Sequence, residues 1–246
     1  VGSSRNGGSG IYSSNSSVTI SGGTVNAAGG NGNFSGGCGI YNSGSLIISD
    51  GTVNATGGNG KDGYGGYGIS SSDVAISGGT VNANGGDSKD GYGGNGISSS
   101  SGVAISDGTV NANGGDSKNG SGGSGIFSFD RVAAISGGTV NANGGNGGSG
   151  DGGDGIRSFA PVAISGGAVT ANGGSGNSSG GNGIYSRNDI DLSGSLELTA
   201  KAGSPNGKAL SQNDKELDLD TIKDKLGPGA KVTATDADGK VNQVPI

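Results

Sequence analysis

The sequence predicts an all-β fold: a parallel β-helix, or solenoid, of about seven coils of 28–30 residues, with three short strands per coil and a small C-terminal cap. Three observations predict it. A Gly-Ile anchor recurs at Ile11, Ile40, Ile69, Ile97, Ile126, Ile156 and Ile184. A second series runs Ile20, Ile48, Ile76, Ile105, Ile135, Ile164 and Leu192, and a third runs Val25, Val53, Val81, Val110, Val140 and Val169. The second and third series stay five residues apart in all six pairs, which compositional accident does not produce.

The first strand of each unit reads G-I-x-S, as in Gly183-Ile184-Tyr185-Ser186. The second reads V-x-I-S (Val162-Ala163-Ile164-Ser165) and the third T-V-N-A-N (Thr109-Val110-Asn111-Ala112-Asn113). Alternation in the second and third turns Val, Ile and Ala inward and Thr and Asn outward. Gly78-Gly79 and Asp107-Gly108 form the corner between them, where a positive φ costs glycine little. β-Branched residues flanked by glycine oppose a helix at every repeat. At ~4.8 Å per coil the rod is about 33 Å long, and its small inward residues make it thin.

From the third-strand Val to the next Ile lies a glycine-rich arc of 15 or 16 residues, such as 85–96 (GGDSKDGYGGNG). Free loops vary in length, so constancy implies that the arcs stack in register in an extended or polyproline-like form. Residues 1–10 match the end of an arc, which leads us to expect a longer parent chain with the first coil lacking its upstream neighbour. The seventh coil slips by one residue over 192–200. From about Ser204 glycine thins and charge rises. We therefore divide the chain into β-helix repeats over 1–203 and a C-terminal cap over 204–246, made of a short helix at 218–226 and a β-hairpin around Asp236-Ala237-Asp238-Gly239. Such a cap shields the open end of the stack from edge pairing.

Composition excludes several classes. Sixty-one of 246 residues are glycine, 29% are apolar and 4% aromatic, a profile that without the repeat would indicate disorder. Net charge −6 and the lack of a basic stripe argue against a nucleic-acid partner and against anionic lipid. No apolar run approaches the ~20 residues of a membrane span. Cys38 is the sole cysteine, so no internal disulfide forms. There is no His for general-base work or zinc, and no partner for Cys38 as nucleophile; we expect no enzyme. A polysaccharide lyase or hydrolase running on Asp, Lys and Arg stays as a remote alternative.

Two surfaces are candidates. The outward face of the third strand stacks Thr and Asn into a neutral grid (Thr80, Asn82, Asn84 and their copies), which reads first as a side-chain ladder. A polysaccharide platform, a self-association face and an ice-binding face are its other readings. The arcs align Asn59, Asp87 and Asp116; Lys61, Lys89 and Lys118; Asp62, Asp90 and Asn119; and Tyr64, Tyr92 and Ser121. Lys61, Tyr64, Asp87, Lys89, Asp90, Tyr92 and Lys118 are the candidate ligand-binding residues, a tyrosine pair suiting a sugar ring. Stacked carboxylates repel unless a cation intervenes. Asp62, Asp87, Asp90, Asp116, Asp151 and Asp154 are the candidate Ca²⁺ ligands, oxygen donors on a glycine-flexible backbone.

The unit I-S-G-G-T-V-N-A-x-G-G…G-G-x-G-I over residues 10–203 resembles the glycine-rich β-helix repeats of Gram-positive bacterial cell-surface and secreted proteins. Some of these are calcium-associated polygalacturonate- or carbohydrate-binding β-helix domains. The resemblance implies an extracellular or cell-surface, non-catalytic carbohydrate-binding or adhesion module. Its partner would be a polysaccharide, acidic in the calcium-dependent form, or a host or cell-surface glycan. A purely structural stalk or adhesin segment, with end-to-end self-association, is the alternative.

Overall fold

The computed structural model describes residues 5–245 and is a parallel β-solenoid. Three stacks of strands run along the rod. The first holds Ile11–Ser13, residues 40–42, Ile69–Ser71, Ile97–Ser99, Ile126–Ser128, Ile156–Ser158, Ile184–Ser186 and Leu210–Gln212. The second runs from residues 18–20 through 46–48, 74–76 and 103–105 to Ala133–Ile135, Val162–Ile164 and Ile190–Leu192. The third stacks the T-V-N-A-N strands, with Val53, Val81, Val110, Val140, Val169, Leu198 and Val232 in one parallel register. Residues 18–28 and 40–56 each run as one strand around their corners.

Every coil after the first, whose Ile11, Val18 and Val25 are half-buried, buries the predicted apolar set: in one coil Ile69, Val74, Ile76, Val81 and Ala83 are 0–2% exposed. Burying an Ile or Val side chain contributes about 1.5–3 kcal/mol, so the anchors are the main source of stability. The corner glycines carry the positive φ the turn needs, +77° at Gly79 and +91° at Gly108. The first strand differs from a plain alternation because its second inward position is Ser, buried in Ser71, Ser99, Ser128, Ser158 and Ser186. Ser99 shows why it is tolerated: its Oγ donates to the Ser72 carbonyl (2.6 Å) and accepts from the Gly102 N–H (3.0 Å), tying the turn into the second strand. No buried side-chain N or O among the described residues lacks a partner.

The arcs stack, as their constant length implies. Each folds back on itself, and two rows of glycine meet across the fold. Gly86 N–H donates to the Gly66 carbonyl, Gly94 to Gly86, Gly115 to Gly94, Gly123 to Gly115 and Gly145 to Gly123, all at 2.7–2.8 Å. This zigzag runs from Gly8 to Gly203. A Cβ at Gly123 would lie 2.1 Å from the Gly94 carbonyl oxygen, so only glycine allows the approach. At the arc tips Gly32, Gly60, Ser88, Ser117, Gly147 and Gly176 form a further row of parallel bridges. Of residues 1–10, where the chain is expected to open mid-repeat, 1–4 lie outside the described residues; Gly7 and Gly8 stand where the second leg of an arc belongs, bonded to Ser35 and Gly30.

The C-terminal segment corrects the expected division at residue 204. Leu210–Gln212 pairs in parallel with Ile184–Ser186, and Lys231–Thr235 pairs in parallel with Glu197–Lys201. Lys231-Val232-Thr233-Ala234-Thr235 keeps the inward Val and Ala of the third strand, so it extends the core as part of an eighth coil. The one-residue slip at 192–200 is absorbed in the corner, where Gly194 has φ +70° and Leu196 is buried, and the strands stay in register. Antiparallel partners close the last strands: Lys215–Glu216 on Leu210–Gln212 and Val241–Val244 on Lys231–Thr235. The expected helix at 218–226 is two 3₁₀ turns, Leu219–Thr221 and Lys223–Lys225. Asp218 caps the first by accepting from the Asp220 N–H, and Ile222, buried against the solenoid end, separates the two.

Candidate functional site

Three side-chain rows border a concave groove beside the arcs. One wall is the row on the returning leg of the arc: Tyr64, Tyr92, Ser121, Asp151 and Ser179, in register because the glycine after each donates its N–H to the carbonyl of the next in the row. The opposite wall is the outward position of the first strand, with Phe127 and Arg157. The floor is the residue between the glycines of G-x-G-I: Tyr67, Asn95, Ser124, Asp154 and Asn182. The enclosed volume is about 580 Å³. A groove lined by aromatic rings with a few convergent polar groups is the usual form of a ligand site.

The aromatic groups are ordered against one another. Tyr64 and Tyr92 stack with centroids 5.5 Å apart while more than half exposed. Phe127, Phe129 and Phe159 form an edge-on cluster with centroids 5.2–6.2 Å apart. The Arg157 guanidinium lies 4.5 Å from the Tyr185 ring centroid, and Arg187 lies 4.0 Å from that of Phe159.

Asp154 is the buried charge of the floor. Its Oδ2 accepts from Arg157 Nη1 at 2.9 Å and its Oδ1 accepts from the Asn182 N–H at 2.7 Å. Burial pushes its carboxyl up from the ordinary value; Arg157 and the Asn182 contacts pull the other way without cancelling the rise. Burial likewise raises the Tyr67 phenol and the Cys38 thiol, neighbours on the same floor row.

The structure divides the predicted binding residues. Tyr64 and Tyr92 line the groove, as do Asp151 and Asp154 from the metal set. Lys61, Lys89 and Lys118 do not; they stand exposed near the arc tip, and the ion pairs among the described residues are Arg157–Asp154 and Lys223–Asp220. The division follows from the fold of the arc: residues 87–90 lie on the outgoing leg and tip, while 92 lies on the return.

The predicted metal-ligating acids stand apart from one another rather than in one cluster. Among the described residues no three acidic side chains come together to hold an ion. One oxygen of Asp87 accepts from the Asp116 N–H (2.8 Å), and one of Asp116 accepts from the Asn146 N–H (2.7 Å). Asn31, Asn59 and Asn146 do the same for the N–H of the next coil, so this row is a structural side-chain ladder in which Asp and Asn are equivalent acceptors. Asp90 accepts from Asn119 Nδ2 at 2.7 Å, and Asp62 is exposed. Asp87 and Asp116 each thus have one carboxylate oxygen engaged by the backbone of the next coil.

The Thr/Asn face is the expected ladder. Amide-to-amide bonds of 2.8–2.9 Å join Asn26, Asn54, Asn82, Asn111 and Asn141. A second line joins Asn84, Asn113, Asn143 and Asn172. Of the groove's floor only Asp154 was among the predicted site residues; Tyr67, Asn95, Ser124 and Asn182, and Arg157 on the wall, were not. Their sequence signal is the lone non-glycine of G-x-G-I, which changes identity from coil to coil (Cys38, Tyr67, Asn95, Ser124, Asp154, Asn182) where its neighbours do not.

A family model described as a beta helix repeat matches residues 18–40, 46–73, 74–101 and 103–125. The matched stretches follow the coil period of the solenoid. No curated protein and no solved structure matches the chain.

Proposed function

Because the chain is a β-helix repeat protein whose coils keep an apolar core and differ most in the arcs, we propose that it is a non-catalytic carbohydrate-binding or adhesion module that works outside the cell or on its surface. The observation that carries this reading is the groove: an axial trough with exposed stacked tyrosines on one wall, Phe127 and Arg157 on the other and a floor of amide, hydroxyl and carboxylate groups. An aromatic wall offers apolar faces to a sugar ring, and fixed donors and acceptors beneath it match hydroxyls. A groove parallel to the rod also suits an extended polymer better than a small molecule. No calcium step enters the proposal, since the acids do not gather. The test is a glycan array and affinity electrophoresis, run with Ca²⁺ and again with EDTA. Retention unaffected by EDTA is the expected result, and loss of retention on Tyr64→Ala with Tyr92→Ala would tie it to the groove. Absence of retention on every glycan would remove the reading.

A structural stalk is the second reading, favoured by the line of glycine hydrogen bonds that continues through every arc. Such a line stiffens a rod without serving a ligand. A spacer function predicts that the double tyrosine variant adheres as well as the wild type.

A further inference from the structure

We propose that the groove takes a neutral polysaccharide, and that one pyranose ring of it stacks on the free face of Tyr92 in the notch above Ser121. This rests on the carbohydrate-binding reading and adds the charge class of the ligand and the place of one of its rings.

The notch follows from the geometry of the wall. The Tyr64–Tyr92 centroid separation of 5.5 Å is close to the ~4.8 Å step between coils, so the two rings lie across the rod axis like successive rungs. Tyr64 covers one face of Tyr92. The other face looks toward the next coil, where the row holds Ser121, whose short side chain accepts from the Asp151 N–H at 3.0 Å. The next long side chain in the row is Asp151, two coils beyond Tyr92 and so about 10 Å away along the axis. A six-membered ring stacked about 4.5–5 Å from Tyr92 falls midway between the two. It would have Phe127 across the groove, Ser124 on the floor with Asn95 one coil before it, and the exposed Asp151 carboxylate at its far edge.

The charge class follows from what lines the trough. Its ionisable acids and bases are Asp151, Asp154 and Arg157, a net of −1 when all are charged. The one guanidinium is already held by the buried Asp154 at 2.9 Å. Lys61, Lys89 and Lys118, which could have neutralised a uronate, stand outside the groove. A polyuronate would therefore meet the Asp151 carboxylate with no unpaired cation lining the trough, on a chain of net charge −6. Hydroxyls, by contrast, donate well to a carboxylate.

Affinity electrophoresis through mixed-linkage β-glucan, galactomannan and xylan on one side, and polygalacturonate and alginate on the other, tests both parts. The wild type is expected to be retarded by at least one neutral polymer and by neither acidic one. Ser121→Tyr fills the notch with the residue that the two preceding coils carry in that row, so it folds; it is expected to weaken retention at least tenfold, as is Tyr92→Ala. Circular dichroism melts of both variants check that the fold is kept. Retention by acidic polymers alone, or by neutral polymers equally in wild type and Ser121→Tyr, overturns this inference and leaves carbohydrate binding standing. Retention by no polymer overturns both.

Discussion

Replacing Gly123 with alanine should break the arc stack. The new Cβ would stand 2.1 Å from the Gly94 carbonyl oxygen and 2.5 Å from its carbon, both backbone atoms of the preceding coil. A carbon–oxygen contact needs about 3.3 Å, so one leg must move by roughly 1.2 Å. Three hydrogen bonds of the zigzag share those atoms: Gly123 to Gly115 and Gly145 to Gly123 at 2.8 Å, and Gly115 to Gly94 at 2.7 Å. A shift of that size leaves two or three of them too long, and each buried group left unsatisfied costs about 1–3 kcal/mol. The expected loss is roughly 2–9 kcal/mol, a large share of the ~5–15 kcal/mol that separates folded from unfolded chains. With a urea slope of about 3 kcal/mol/M, the midpoint should fall by roughly 1 M or more. Gly22→Ala is the control, since a Cβ there meets nothing within 4 Å, and it should change stability by no more than about 1 kcal/mol. The assay is urea unfolding followed by circular dichroism, with hydrogen exchange to place the loosening around residues 94–145. If Gly123→Ala and Gly22→Ala unfold at the same urea concentration, the close-packed glycine account of the arcs is wrong.

Other perturbations probe the remaining interactions. Asn111→Asp removes the Nδ2 that donates to Asn82 at 2.9 Å and sets a carboxylate against the Asn82 carbonyl; a loss of about 1–3 kcal/mol in urea unfolding is expected, larger than for Asn172→Asp at the end of the second line. Ser99→Ala strands the Gly102 N–H and should cost about 1–2 kcal/mol, with faster amide exchange at Gly102. Because the folded Asp154 pKa lies above its unfolded value, its contribution favours the native state at low pH and is lost as pH rises through the folded pKa. Asp154→Asn keeps an acceptor for the Asn182 N–H, so subtracting its stability curve from that of the wild type should reveal this decline, and a flat difference from pH 4 to 8 would contradict it. Arg157→Ala leaves the buried carboxylate unpaired and should cost about 2–3 kcal/mol, below the full figure for buried pairs because Arg157 is 36% exposed on its side chain.

The period of the anchors made the solenoid legible because parallel stacking requires the same inward residue at the same place in each coil. Ile69 over Ile97 and Val81 over Val110 are consequences of that rule, visible as spacing before any coordinates. Lys231–Thr235 was missed as a coil strand because its surroundings lose the glycine signature, although its Val and Ala keep the pattern. The acids expected to gather for calcium do not cluster among the described residues, for a different reason. Alignment correctly placed Asp87 above Asp116, but it could not tell a carboxylate facing its neighbour from one bonded to the neighbour's backbone.

Sequence alone determined the fold class, the inward and outward faces of the strands and the row in which each arc residue sits, because all three depend only on periodicity along the chain. What faces what across the arc was decided by the tertiary structure. The arc doubles back through contacts between glycines eight and about twenty residues apart, and no period of the chain encodes which flank the return leg presents. That fold sends Lys89 outward and Tyr92 into a groove with Asp154 and Arg157, residues from two and three coils further on.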